Sequence, residues 1–185
     1  MTEKEKETNI PSLDEHHYYM FSGEVNNESV SDVIKFIIAR NLMVQRPKAI
    51  KLIINSFGGD VSAAFSLIDV MQGSKVPVYT YGLGEILSSG LSIFMAGEAG
   101  HRYITKNTAI LSHQYTWGSF GKQHELMASV KEFTNVHCRI LNHYKKCTGL
   151  SEKDIKKYLL PAEDVWLTSK EAVKYGIADK VIDTL

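Results

Sequence analysis

Two adjacent serines, Ser88 and Ser89, stand between glycines in "GEILSSGLSIFMAG", at the edge of an apolar run. A hydroxyl on a sharp strand-to-helix turn is exposed and lies close to the N–H groups that follow it, as a nucleophile attacking a carbonyl requires. Serine attacks only with a base in contact. His113, which closes the apolar segment "AILSHQ", is the obvious base. An imidazole in that role needs a third group to orient it, typically a carboxylate. Asp164 in "AEDVWLTS" stands beside an apolar patch rather than within a charge run, and is a candidate. Gly58 and Gly59 in "NSFGGD" lack a Cβ, so backbone N–H groups there can approach an anion or a developing oxyanion. Singly, each feature has a plain structural explanation: a turn residue, a satisfied core histidine, a tight connection. Together, each at an element boundary, the serine, the histidine and the aspartate favour a nucleophile with a base and an orienting carboxylate.

The elements that must position these groups alternate between strand and helix. "YYMFSGEV" reads as a strand, and "ESVSDVIKFIIARNLM" places Val30, Val33, Ile34, Ile37, Ile38 and Leu42 on one helical face, with Ser29 as N-cap. "KAIKLIIN" and "VPVYTYG" are nearly continuous apolar runs, as in strands buried on both faces. "SFGGD" turns the chain between the first of these and a packed helix over "VSAAFSLIDVMQG". "SSGLSIFMAG" reads as a short buried helix, and "HRYIT" and "AILSHQY" as further strands. A long helix runs from Lys122 to Lys146 and is closed by Gly149; "SEKDIKKYL" follows, capped by Ser151. Thr168 and Glu171 form a capping box before "ADKVID", a last strand. The alternation predicts an α/β fold with a largely parallel sheet, in one domain over residues 16–185 behind a polar tail over residues 1–15. Functional groups gather at the carboxyl ends of such strands, where the glycine pair, the serine pair and His113 all fall.

Composition narrows the function. The chain has 185 residues, with 21 Lys+Arg against 21 Asp+Glu, so it lacks the cationic surplus of a generic nucleic-acid or anionic-membrane binder. Near-zero charge leaves little repulsion between copies. There is no apolar stretch of the length of a membrane span and no leader-like N-terminus, and the expected location is the cytoplasm. Cys138 and Cys147 fall in one helix, about 13 Å apart at 1.5 Å per residue, too far to bridge. Neither the cysteines nor His16, His17, His101, His124, His137 and His143 have metal-ligand spacing, so no metal and no cofactor are expected. Phosphate-binding glycine motifs are absent as well.

With those residues in view, the chain from Tyr18 onward resembles the proteolytic subunit of the caseinolytic (Clp) protease, the ClpP family. "LIINSFGGDVSAAF" resembles the family's "YINSPGG" and the helix after it, and "AILSHQY" resembles "MIHQP". "DVWLTSKEAVKYGIADKVI" is similar to "DRFLSAPEAVEYGLVDKVI". The resemblance implies the ClpP/crotonase-like fold with a long handle helix. It places Ser88 as nucleophile, His113 as base and Asp164 as third member, in the family's chain order and with its 25-residue step from serine to histidine. It further implies an oxyanion hole from the N–H groups of Gly59 and Ser89. Substrate would add as an extended strand along Gly58, Asp60 and Val61 on one side and Gln114 and Tyr115 on the other. The implied protein is a serine endopeptidase of unfolded polypeptides inside a heptameric ring, with rings stacked in pairs as a tetradecamer and an AAA+ unfoldase as partner.

The chain departs from the family pattern in places. Tyr115 replaces a proline, "TWGSFG" replaces a glycine-rich handle strand, and Glu163 stands where an arginine linking rings is usual. Alternative readings are a non-catalytic ring component, a phage-type capsid-maturation protease, or a crotonase-like acyl-CoA enzyme. Lys106 is the nearest base for a Ser–Lys dyad, but "TKNT" reads as a solvated turn.

Overall fold

Runs dense in Ile, Val and Leu build the strands, because branched side chains pack well on a pleated, buried surface. The computed structural model describes residues 12–183. In it β1 (Tyr18–Val25), β2 (Ile50–Gly59), β3 (Val78–Leu87), β4 (Arg102–Ile104) and β7 (Lys180–Val181) lie side by side in that order, all parallel. β5 (Ala109–Ser112) leaves this path. β3 pairs with β4 through Thr80–Gly82 and with β5 through Glu85–Leu87, and β5 pairs antiparallel with β6 (Val165–Leu167). The sheet therefore divides near the carboxyl end of β3, where the serines sit.

Helices α1 (Asn27–Leu42), α2 (Val61–Gly73), α3 (Ser89–Met95), α4 (Gln123–Thr148), α5 (Glu152–Tyr158) and α6 (Ser169–Lys174) flank the sheet. Ile50, Leu52 and Ile54 of β2 share one buried cluster with Ile37 of α1, Leu67 of α2 and Leu91 and Phe94 of α3. Full burial of each such side chain contributes about 1.5–3 kcal/mol, so strand–helix packing fixes where α3 begins. This is the mostly parallel α/β architecture that the strand–helix alternation predicts. Near β7, Arg102 donates to both oxygens of Asp179 (2.9 and 2.6 Å) and to the carbonyls of Cys147 and Gly176 (2.9 Å each). Burial by itself would raise the Asp179 carboxyl, but the bonds from Arg102 hold it below its ordinary value.

Four details differ from expectation. The N-cap of α1 is Asn26, not Ser29: Asn26 Oδ1 accepts from Ser29 N–H (2.9 Å) and Ser29 Oγ accepts from Asn26 N–H (3.0 Å). The helix starts a turn earlier because the asparagine amide satisfies the third helical N–H directly. "SFGG" is strand rather than turn: β2 continues to Gly59 past a register shift between Ile54 and Ser56, with Gly58 and Gly59 still paired to β1. Glycine makes this backbone accessible, since φ is +98° at Gly58 and +147° at Gly59. β6 was not foreseen, being three residues long and too short to show alternation. "AILSHQY" ends as a strand at Ser112. Of the polar tail expected over residues 1–15, residues 1–11 lie outside the described residues, and residues 13–17 form turns leading into β1. Among the described residues no helix is long and apolar enough to cross a membrane.

Candidate active site

β3 ends at Leu87 and α3 begins at Ser89, which leaves Ser88 alone at the corner. Its backbone has φ 55° and ψ −123°, a conformation that costs a residue with a side chain about 1–3 kcal/mol. Hydrogen bonds on both sides hold it there. Ser88 N–H donates to Leu111 O (3.1 Å), and Ser88 O accepts from the N–H groups of Leu91 (3.1 Å) and Ser92 (3.2 Å). Two glycines clear the space. A Cβ on Gly58 would stand 2.8 Å from Ser88 Cβ, and one on Gly90 would stand 2.9 Å from Ser56 O.

His113 is the first residue beyond β5. The Leu87–Leu111 register of the parallel β3–β5 pair sends Ser88 and His113 out of the sheet at one end, with His113 Nε2 2.7 Å from Ser88 Oγ. The Ser112–Val165 register of the antiparallel β5–β6 pair sets Asp164, the residue before β6, beside His113. Their separation, Nδ1 to Oδ1, is 3.8 Å, within ion-pair reach but longer than a hydrogen bond. The Asp164 side chain is 62% exposed and that of His113 23%. Serine and histidine are thus in close contact, and the carboxylate is held loosely at the water's edge.

Gly59, Ser88, Ser89 and His113 border one cleft of about 180 Å³. Ser89 Oγ donates to Gly59 O (3.1 Å), joining the end of β2 to the start of α3. Gly58 does not line the cleft: its N–H donates to Ser56 Oγ (3.2 Å), and it packs beneath Ser88. Asp60, Val61, Gln114 and Tyr115 do line it. Asp60 also caps α2, its Oδ1 accepting from Ala63 N–H (2.6 Å), and the Tyr115 ring stacks on Phe133 at 6.0 Å.

Part of the wall was not anticipated from sequence: Phe65, Ser92, Ile140 and Tyr144. Ile140 and Tyr144 belong to the apolar pattern of the long helix. Their i, i+4 spacing signals a shared face, but only packing decides that this face meets the cleft. His143, beside Tyr144, donates from Nε2 to Ser92 O (2.8 Å), and burial pushes its imidazole below the ordinary range. Lys106 pairs with Asp183 on the surface at 2.8 Å and does not line the cleft. Among the described residues, no three His, Cys, Asp or Glu side chains gather as a metal site would require.

The model of the Clp protease family matches residues 2–185. The proteolytic subunit 2 of the ATP-dependent Clp protease of Treponema denticola is 31% identical over 163 residues, covering 88% of this chain and 80% of that protein. A family match along nearly the whole chain thus accompanies a corner serine in contact with a histidine. The chain belongs to the Clp protease family and is a Clp-type serine peptidase.

Proposed function

We propose that this chain is the endopeptidase subunit of a self-compartmentalised ring and hydrolyses unfolded polypeptides with Ser88, His113 and Asp164. The observation that carries the reading is the 2.7 Å contact between His113 Nε2 and Ser88 Oγ at a strained corner. For Nε2 to accept the serine proton, Nδ1 must carry the other, and Nδ1 faces Asp164. Ser88 Oγ attacks the peptide carbonyl carbon as its proton passes to Nε2. The oxyanion accepts from Gly59 and Ser89 N–H; loss of one such donor typically slows catalysis about 10²–10³-fold. The C–N bond then breaks, His113 returns its proton to the departing amine, and water repeats the sequence on the ester. Residues 113–120 have no strand partner among the described residues, so an extended peptide can pair there by main-chain hydrogen bonds.

Ring assembly is supported by surface left uncovered on the handle: Trp117 (41% exposed), Phe120 (103%), Met127 (65%) and Val130 (47%). With Glu163 in place of a ring-linking arginine, apolar contact is the stronger basis for pairing of rings. The chain has no phosphate-binding glycine motif, so ATP dependence, stated in the name of the Treponema denticola protein, would here come from a separate AAA+ unfoldase.

The test is fluorophosphonate labelling followed by intact mass, with native mass recorded on the same samples. One adduct per subunit is expected on wild type and Ser89→Ala, and none on Ser88→Ala or His113→Ala. An intact ring that takes no adduct overturns the reading.

A further inference from the structure

Both residues that flank His113 are tied through their side chains to one stretch of chain. Ser112 Oγ donates to Leu159 O (2.6 Å), and Gln114 Nε2 donates to Leu160 O (3.2 Å) and Pro161 O (2.8 Å). That stretch follows α5 and leads within three residues to Asp164. Ser112 has a single hydroxyl proton, and Leu159 O takes it. The 2.9 Å contact between Ser112 Oγ and Tyr144 Oη is therefore a donation from the tyrosine. The result is a directed chain, Tyr144 O–H to Ser112 O–H to Leu159 C=O, linking α4, β5 and the end of α5.

This chain is sealed from water: Ser112 is 0% exposed and Tyr144 2%. Burial pushes the Tyr144 phenol up to about 12, so it remains a donor throughout the working pH range. Polar groups so placed are costly unless satisfied, and each of these is satisfied by the next. Asp164, in contrast, lies 3.8 Å from the imidazole with most of its side chain in water, where an ion pair exerts little orienting force. The histidine needs other restraints, and its two neighbours carry them.

We propose that Tyr144, Ser112 and Gln114 are positioning residues that set the His113 imidazole between Ser88 and Asp164. By binding residues 112 and 114 to the stretch that leads into Asp164, they make base and carboxylate move as one body, anchored to α4 through Tyr144. This assignment rests on the triad reading above.

The test compares assembled wild type with Tyr144→Phe, Ser112→Ala, Ser112→Thr and Gln114→Ala. It follows the rate of fluorophosphonate labelling, kcat and KM on a fluorogenic peptide, and thermal stability. Tyr144→Phe keeps the ring in the cleft wall and removes one hydroxyl. Tyr144→Phe and Ser112→Ala are each expected to lower kcat and labelling about tenfold with KM unchanged, and Ser112→Thr, which keeps the hydroxyl, to restore most of the loss. Should Tyr144→Phe fail to fold, Ser112→Ala and Gln114→Ala carry the same expectation. Variants that lose thermal stability yet keep wild-type kcat and labelling overturn the network while leaving the triad standing. Wild type that takes no label at Ser88 overturns the triad reading, and the network with it.

Discussion

At the scale of single residues, the uneven spacing of the three polar groups has consequences that can be measured. Where a carboxylate is buried and hydrogen-bonded to the base, its amide replacement costs about 10⁴ in kcat. Asp164 is solvated and 3.8 Å from His113 Nδ1. Asp164→Asn is accordingly expected to lower kcat/KM for peptide hydrolysis only about 10–10²-fold, far less than His113→Ala. A loss near 10⁴ would show instead that assembly draws Asp164 into hydrogen-bond range. Arg102 gives a stability counterpart. Arg102→Met removes the guanidinium from Asp179, which keeps only backbone N–H donors, and from the carbonyls of Cys147 and Gly176, and is expected to destabilise by about 3 kcal/mol in denaturant titration.

At the scale of elements, the decisive feature is how closely α3 approaches β2. Gly90 permits it, since any Cβ there would press on Ser56 O at 2.9 Å. Gly90→Ala must push α3 outward and carry Ser88 with it, because Ser88 O holds the first turn of α3 through Leu91 and Ser92 N–H. Labelling of Ser88 is expected to slow more than tenfold while circular dichroism stays native-like. Wild-type labelling of a folded Gly90→Ala protein would mean that the corner tolerates displacement. The capping of α1 is a milder matter. Asn26→Ala removes the acceptor of Ser29 N–H and should cost about 1 kcal/mol by thermal melt, with catalysis unchanged.

At the scale of the whole molecule, His143 couples stability to pH. Burial lowers its folded pKa below the ordinary value of 6.5, so below that pH the unfolded chain binds a proton that the folded chain resists. Stability is therefore full above about pH 6.5 and falls as pH drops below it, until the folded group also titrates. His143→Gln keeps a donor for Ser92 O but has nothing to titrate. Its melting temperature should fall less than that of wild type between pH 7 and 5, and equal slopes would remove His143 from the account.

The sequence by itself determined the periodicities and the local chemistry. Val61–Gly73 reads as a helix from its small and apolar spacing, Gly149 and Ser151 end and begin helices by backbone and side-chain preference, and Ser88, His113 and Asp164 stand out as reactive types at element ends. All of these signals are short-range. The three-residue β6 left no pattern in the sequence, and its antiparallel pairing is what sets Asp164 beside His113. Nor could sequence show that Gly58 would pack beneath Ser88 while Gly59 faces the cleft, or that Tyr144 would reach across 32 residues to Ser112. Those relations depend on strand register and on which face of α4 meets the sheet, and only burial of the shared core fixes both.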